Sequence, residues 1–478
     1  MKTEPASRRT FLGVTLGFAA VSATAAVVRA APTQAKRLIA ETHTIEVNGR
    51  SARRFRLTGP DGRPGLRLAP GERFRVDLVN GCGQDTIIHW HGQLPPWKQD
   101  GFPWPQTPPL APDTTRAYDY APISGTYWMH SHQGLQEQNL MTAPLIVEDA
   151  ALLREDRQDV VLFLHDFSFR SPQEILAALT HAKATAASAM GSMAGMQSMQ
   201  MTGMQSMDLN DVDYDAFLAN DRTLADPEIV HVERGGRVRL RIINGASSSN
   251  FWIDLGKLTG NVVAVDGHDV RPLSQRRFPI AMAQRLDILI DLPASGAFPV
   301  LAQLEGTTRQ TGIILATAGA RVTRIAQHAD RAAPPVDNSL ELRLEGLERL
   351  QPRSPDVVHR IVLDGSMKPY RWSLNGQYWP EITPFMLSTG QRVEVELTNH
   401  SMMSHPMHLH GHAFTVTAVN GRRITGAVRD TVLVTPKGSV RFAFDANNPG
   451  RWAFHCHNLY HMESGMMTEF RYRGVTAG

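Results

Sequence analysis

The 478-residue chain has only two cysteines, Cys82 and Cys456. A disulfide scaffold is therefore excluded, and one bridge at most could form. Charge of one sign is also lacking. Lys+Arg 49 against Asp+Glu 46 leaves a formal +3, too little for a nucleic-acid binder that relies on a bulk basic field. Past the N-terminal region no run reaches ~18 unbroken apolar residues, so no later segment is expected to cross a bilayer. Helix signals are scarce. The best candidate is 172–188, which opens on Pro172 and carries Glu174, Ile175, Leu176 and Leu179 at helical spacing. Turn formers, in contrast, are plentiful: Gly 38 and Pro 30 beside an ordinary 42% hydrophobic content. That balance predicts a turn-rich β protein and argues against wholesale disorder. At a prior of ~150 residues per domain, about three domains are expected. Met and His are both over-used, at 19 each.

The N-terminus reads as an address. Arg8 and Arg9 precede an apolar run from Phe11 to Val28, and small residues follow up to Ala30. Charged region, apolar region and cleavage site form an export signal over 1–30, with the paired arginines of the twin-arginine route. The mature chain is then expected to begin near Ala31, in the periplasm, with no stable membrane association after cleavage. The competing reading is an uncleaved anchor, since the run is just long enough to span.

One unit recurs three times. Gly71 to Asn80, Gly236 to Asn244 and Gly390 to Asn399 each run from Gly through alternating polar and apolar residues to Asn. Period-two alternation predicts a strand with one buried face, and the closing Asn starts a turn. The copies lie roughly 160 residues apart, a domain-sized period rather than that of a solenoid. The sequence predicts an all-β chain of three consecutive Greek-key β-sandwich domains over 31–150, 151–330 and 331–478. Ala333, Pro334 and Pro335 read as a linker.

The histidines carry the chemistry. They cluster as His89 and His91; His130 and His132; His405, His408 and His410; and His455 and His457 with His461 and Met466. On a strand, residues i and i+2 share a face. Each His-x-His pair therefore presents two imidazoles side by side, and four pairs give eight. Eight are too many for one ion but suit about three, with positions left for water or O2. Cys456, between His455 and His457, must point the other way. There it can meet His405, His461 and Met466, the two His, one Cys and weak axial Met of a blue-copper site. Thiolate and imidazoles then lie on opposite flanks of one strand, joined through bonds. A lone His-x-His is weak, being more often a satisfied buried histidine; four pairs, one split by Cys, are specific. His43, His165, His181, His231, His268, His328, His359, His400 and His412 get the structural reading, with His412 supporting a ligand from behind.

At these residues the sequence resembles the multicopper oxidases. HWHG at 89–92, HSH at 130–132, HPMHLHG at 405–411 and HCHNLYHMESGM at 455–466 carry the match. The resemblance implies three cupredoxin-like domains and four copper ions. Type 1 copper would be held by His405, Cys456, His461 and Met466. The type 2 ligands would be His89 and His408. The type 3 pair would use His91, His130, His132, His410, His455 and His457. The middle domain, with Asn250 and Phe251 where the first has its His-Trp-His region, would be a copper-free spacer. The export signal and the Gln136, Glu137, Gln138 stretch resemble the bacterial copper-resistance type, which oxidises Cu(I); laccase-like members oxidise phenols. Members of that type place an acid directly after the type 1 His as a proton donor. Here that position is Met462 and the acid is Glu463, which strand alternation turns elsewhere. Asp100 matches a family acid near type 2 copper and is the better proton relay.

Seven methionines, Met190, Met193, Met196, Met199, Met201, Met204 and Met207, fall in one run with Gly, Ser, Gln, Ala and Thr as filler. Thioether sulfur favours Cu(I), so the run is a candidate for capturing it. A low-complexity loop and one face of a helix are the alternatives, the second weakened by Gly191, Gly195 and Gly203. Met402 and Met403, just before His405, offer a second thioether contact or core packing. Cys82 reads as a free, partly buried thiol.

The sequence as a whole predicts an exported, monomeric oxidase. A reductant, Cu(I) by first choice, would deliver electrons at the exposed edge of His461, and O2 would be reduced to water at the imidazole cluster. A laccase acting on phenols or aromatic amines is the alternative within the class. A non-catalytic exported cupredoxin protein, or a copper store, is the alternative outside it.

Overall fold

The computed structural model describes residues 34–181, 209–293 and 295–476. The export signal over 1–30 and the methionine run over 190–207 lie outside the described residues. Among the described residues no helix is long and apolar enough to cross a membrane.

Six sheets account for the fold, and they fall in three sequential pairs. The first pair sets the four strands Arg50–Thr58, Lys36–Val47, Phe74–Asn80 and Thr115–Tyr120 against Leu66–Leu68, Thr142–Val147, Gly125–Ser131 and Ile88–His91. Leu38, Phe74, Val76 and Leu78 of one sheet meet Ile88, Trp90, Met129 and Leu145 of the other in one apolar cluster. The middle pair runs from Gln158 to Thr317 and the third from Val357 to Tyr472. This is the expected all-β architecture of cupredoxin-like sandwiches.

The repeated unit explains why the three sandwiches share a topology. Phe74–Asn80, Arg237–Asn244 and Arg392–Asn399 each pair in parallel with the opening strand of their own sandwich. Each closes on an Asn whose Oδ1 accepts the backbone N–H two residues on: Cys82 at 3.1 Å, Ala246 at 3.1 Å and Ser401 at 2.8 Å. These side-chain turns redirect the chain after the strand. In the third sandwich the turn delivers it to His405.

The second copy departs from the expected one-sided burial. Arg237–Asn244 is buried along both faces after its first residue. Its would-be solvent face is covered by the strand Gly125–Ser131 of the first sandwich. Arg241 there donates to Asp159 at 2.7 Å, Thr126 at 2.8 Å and Asp287 at 3.0 Å. Buried arginines of this kind persist only when their donors are matched.

Helix is confined to short pieces among the described residues. The expected helix from 172 is present as Pro172–His181; the remainder of 172–188 lies outside the described residues. Ser171 and Glu174 form its capping box, with Ser171 N–H donating to Glu174 at 2.8 Å and Glu174 N–H to Ser171 Oγ at 3.2 Å. The helix packs against the strand Tyr370–Leu374.

Candidate metal centre

Two antiparallel strand pairs gather the eight imidazoles. In the first sandwich Ile88–His91 pairs with Gly125–Ser131, putting His89 opposite His130. In the third, His405–Leu409 pairs with Arg451–Cys456, putting His408 opposite His455. The two pairs meet face to face. His89 Nε2 lies 3.4 Å from His408 Nε2, and His410 Nε2 lies 3.0 Å from His455 Nε2. The His91 ring stacks on His408 at 3.7 Å, His89 stacks on His410 at 3.8 Å, and His130 sits 4.9 Å from His457. All eight are buried. Three overlapping groups have ligand atoms within 4.8 Å of one another: His89, His91 and His130; His89, His408 and His410; His132, His410 and His455.

Two aspartates clamp this cavity reciprocally. Asp100, from the first sandwich, accepts His89 Nδ1–H on its carbonyl at 2.8 Å and His410 Nδ1–H on its carboxylate at 2.8 Å. Asp430, from the third, accepts His408 Nδ1–H on its carbonyl at 2.8 Å and His91 Nε2–H on its carboxylate at 2.9 Å. Each thus holds one ring of its own sandwich by backbone and one of the other by side chain. Gly101 makes the first clamp possible. At φ +87 a Cβ there would stand 1.8 Å from the Ile88 carbonyl, so only glycine lets the Asp100 turn press against the His-Trp-His strand.

The inner nitrogens are left free. His91 Nδ1, His130 Nε2, His132 Nε2 and His457 Nε2 are buried without a hydrogen-bond partner among the described residues. Outer nitrogens of other rings and of His91 are engaged, His91 Nε2–H donating to Asp430 at 2.9 Å and His455 Nδ1–H to the Cys456 carbonyl at 3.0 Å, while His130 Nδ1 lies 2.7 Å from a Glu137 carboxylate oxygen without hydrogen-bond geometry. Burial, and after it mutual repulsion, holds His91, His130, His132, His408, His410 and His457 well below the ordinary imidazole value. Burial pushes His455 down to about 4. Buried imidazoles, five of them with an outer N–H held by a carbonyl or carboxylate, form a metal-ligand set. This donor chemistry fits copper.

Cys456 faces the opposite flank. Its Sγ lies 3.7 Å from His405 Nδ1 and 3.7 Å from His461 Nδ1, and those two nitrogens are 3.1 Å apart. Met466 is buried beside them. Its carbonyl accepts Cys456 N–H at 3.1 Å and its N–H donates to the His461 carbonyl at 3.0 Å. Ser401 Oγ caps His405 Nε2 at 2.7 Å. Burial pushes the Cys456 thiol up, so a bound cation is what would hold it as thiolate. The strand ends at Cys456, and His457 lies one residue beyond it. The alternation of side chains nevertheless continues, His457 joining the first sandwich's rings.

Several expectations change. The edge of His461 is not exposed: the ring is buried, and Asp211 Oδ2 lies 3.0 Å from its Nε2. Asn458 and Tyr370 donate to the same oxygen at 2.7 and 3.1 Å. Residues 459–463 are not strand but the short helix Leu459–Glu463, so strand alternation does not set the direction of Glu463. Met462 is buried and Glu463 exposed. Of the methionine pair, Met402 is 57% exposed while Met403 is in the core. Cys82 is free and buried, and its thiol donates to Asn80 at 3.1 Å. His412 supports from behind, with Nδ1–H donating to the His410 carbonyl at 3.2 Å and Nε2 accepting from Tyr472 at 2.7 Å.

Sequence reasoning missed Asp430, Asp211 and the role of Glu137. Burial raises the Glu137 carboxyl well above its usual range, and the charges of Asp166 and Glu463 add to it. None of the three sits in a spaced pattern.

Models described as "Multicopper oxidase" match residues 41–151, 159–323 and 351–474. The chain is 31% identical to "Multicopper oxidase MmcO" of Mycobacterium tuberculosis over 428 residues, covering 86% of this chain and 81% of that protein. It is 27% identical to "Copper resistance protein A" of Escherichia coli over 612 residues, covering 97% and 99%. In fold it matches the crystal structure of a laccase from Botrytis aclada with TM-score 0.73 at 21% identity, covering 91% and 86%.

Proposed function

The chain belongs to the multicopper oxidase family, and from that premise we propose that it is a periplasmic cuprous oxidase that detoxifies copper. The family couples oxidation of a reductant to reduction of O2. What supports the finer reading is one strand: Cys456 meets His405 and His461 on one flank, while His455 meets His410 on the other.

In this reading His405, Cys456, His461 and Met466 hold one copper as the type 1 site. His89 and His408 hold the type 2 ion, and His91, His130, His132, His410, His455 and His457 hold the type 3 pair. Bound copper supplies one-electron redox chemistry and open positions for O2. The chain supplies the rest. Cys456 and its covalent neighbours form a bonded path from one flank to the other. Asp211, held by Asn458 and Tyr370, covers the outer edge of His461, the edge nearest the described flanks of the methionine run. Its Oδ1 is buried and has no hydrogen-bond partner among the described residues. Reduction of O2 to two waters takes four electrons and consumes four protons, so an acid must relay them. Asp100 Oδ1, buried 3.4 Å from His89 Nδ1 and without a hydrogen-bond partner among the described residues, is the atom assigned to that task.

Cu(I) as donor rests on the methionines. The run over 190–207 ends four residues before Asp211. The helix that precedes it packs on the strand carrying Tyr370 and Trp372, whose rings lie 6.1 and 4.0 Å from His461. Both described flanks of the run therefore sit at the His461 edge. A laccase that oxidises phenols at the same His461 site is the second reading. Oxygen uptake by copper-loaded protein decides between them, with Cu(I) or a phenol as donor, before and after deletion of 190–207. The proposal expects Cu(I) turnover to fall on deletion while phenol oxidation stays. Unchanged Cu(I) turnover overturns the capture role. A copper store would not need the Cys456 arrangement at all.

A further inference from the structure

We propose that Arg285, from the middle sandwich, is a positioning residue for the imidazole cavity, acting through Asp430 on His91. The inference rests on the reading of that cavity as a copper cluster. It gives the middle sandwich a part in building a centre to which it contributes no ligand.

Arg285 opens the strand Arg285–Asp291 and is wholly buried. Its guanidinium reaches all three sandwiches. Nη1–H donates to Asp430 Oδ1 at 2.8 Å and Nη2–H to Asp430 Oδ2 at 2.5 Å, a bidentate pair with the third sandwich. Nε–H donates to the Thr126 carbonyl at 3.2 Å, and the cation lies 5.5 Å from the Tyr127 ring centre, both in the first. A second Nη1–H donates to the Ala283 carbonyl at 3.0 Å within its own. A planar fork with matched donors on three bodies has little freedom to move, and it fixes the plane of the carboxylate it grips.

That plane decides what His91 presents. Asp430 Oδ1, already gripped by Arg285, accepts His91 Nε2–H at 2.9 Å and Thr431 Oγ–H at 2.9 Å. A neutral imidazole carries one N–H. With the proton committed at Nε2, the lone pair is at Nδ1, which is buried and has no hydrogen-bond partner among the described residues; His91 itself is grouped with His89 and His130. Thr431 Oγ, 3.2 Å from the same nitrogen, is itself tied to Asp430 Oδ1, so both partners of His91 Nε2 depend on how the carboxylate is held. The backbone is cut away to make room for this crossing. A Cβ at Gly92, next to His91, would stand 2.5 Å from Asp430 Oδ2 and 2.6 Å from Arg285 Nη2.

The test uses copper-loaded full-length protein and the variants Arg285→Met and Arg285→Lys. Copper content and the paramagnetic resonance of the imidazole-bound ions report the cavity. The blue thiolate-to-copper absorption reports the Cys456 site and serves as a fold control in the same sample. Arg285→Met is expected to keep the blue absorption while copper affinity of the cavity falls about 10- to 100-fold, as loss of an outer-shell partner does. Arg285→Lys, which keeps the charge but reaches one carboxylate oxygen, recovers part of it. Full cavity copper with an unchanged resonance in Arg285→Met overturns the proposal. So does parallel loss of both centres in both variants, which would make Arg285 a strut for the whole chain. If the wild-type protein itself shows no imidazole-bound copper, the reading of the cavity fails and not the role of Arg285 within it.

Discussion

Acid should unfold the copper-free protein steeply, and the steepness is set by histidines that stay neutral inside it. His165 and His412 are held down to about 4 from 6.5, burial being the main cause in each. Both are anchored as neutral rings, His165 Nδ1–H donating to the Gly245 carbonyl at 3.1 Å and His412 Nε2 accepting from Tyr472 at 2.7 Å. The unfolded chain takes up a proton at each near pH 6.5, while the native chain refuses it until about pH 4. Their stabilisation is therefore complete above pH 6.5 and is lost as pH falls toward 4. Each loses about 3 kcal/mol across that window. Against a total stability of ~5–15 kcal/mol, two such groups are a large share, and the metal-free cavity histidines shift in the same direction. Urea midpoints of copper-free protein, taken from about pH 7 to about pH 4.5, would show the decline. His412→Gln, which removes the titration but keeps a donor and an acceptor, should flatten the slope by up to about 1.4 kcal/mol per pH unit near pH 5. An unchanged slope in the variant, or constant stability down to about pH 4.5, would refute the reasoning.

Three further outcomes follow from the site. Cys456→Ser should abolish the blue absorption and all oxidase activity, while copper titration still finds the imidazole cavity filled; loss of cavity copper as well would contradict the two-flank arrangement. Asp100→Asn keeps the size of the side chain but weakens its acceptor toward His410, and should slow O2 reduction about 10- to 100-fold with the blue absorption retained; wild-type turnover would remove Asp100 from the relay. Gly101→Ala drives a Cβ to 1.8 Å from the Ile88 carbonyl and should destabilise by more than the ~1 kcal/mol of an ordinary glycine replacement, read as a fall in melting temperature; an unshifted melt would show that the Asp100 turn is not held against the strand.

What could be read from the sequence was whatever repeats locally. Alternation in His89 to His91 and in His455 to His457 placed each side chain on its flank. The three Gly-to-Asn segments gave the sandwiches, because strand period and turn chemistry are short-range properties. The expected edge of His461 was wrong because its cover, Asp211, comes from a distant stretch of chain with no period to mark it. Arg241 misled for a related reason. A charged residue at a polar position in an alternating strand reads as solvated, yet docking of the first sandwich buries it. Glu463 was judged on strand geometry because HCH is strand, whereas Asn458 starts a helix by accepting the N–H groups of Tyr460 and His461 at 3.2 and 3.4 Å. Asp430 and Arg285 could not be singled out at all, since nothing before the fold connects a lone Arg in one sandwich to a lone Asp in another.

The crossed grips of Asp100 and Asp430 bear on maturation. Because each carboxylate reaches across in the opposite sense to the other, the two bodies have no soft direction along which to slip. Four of the eight rings are tied across the seam by these two residues alone. A cage braced in this way is expected to load by supply of the metal rather than by a folding step.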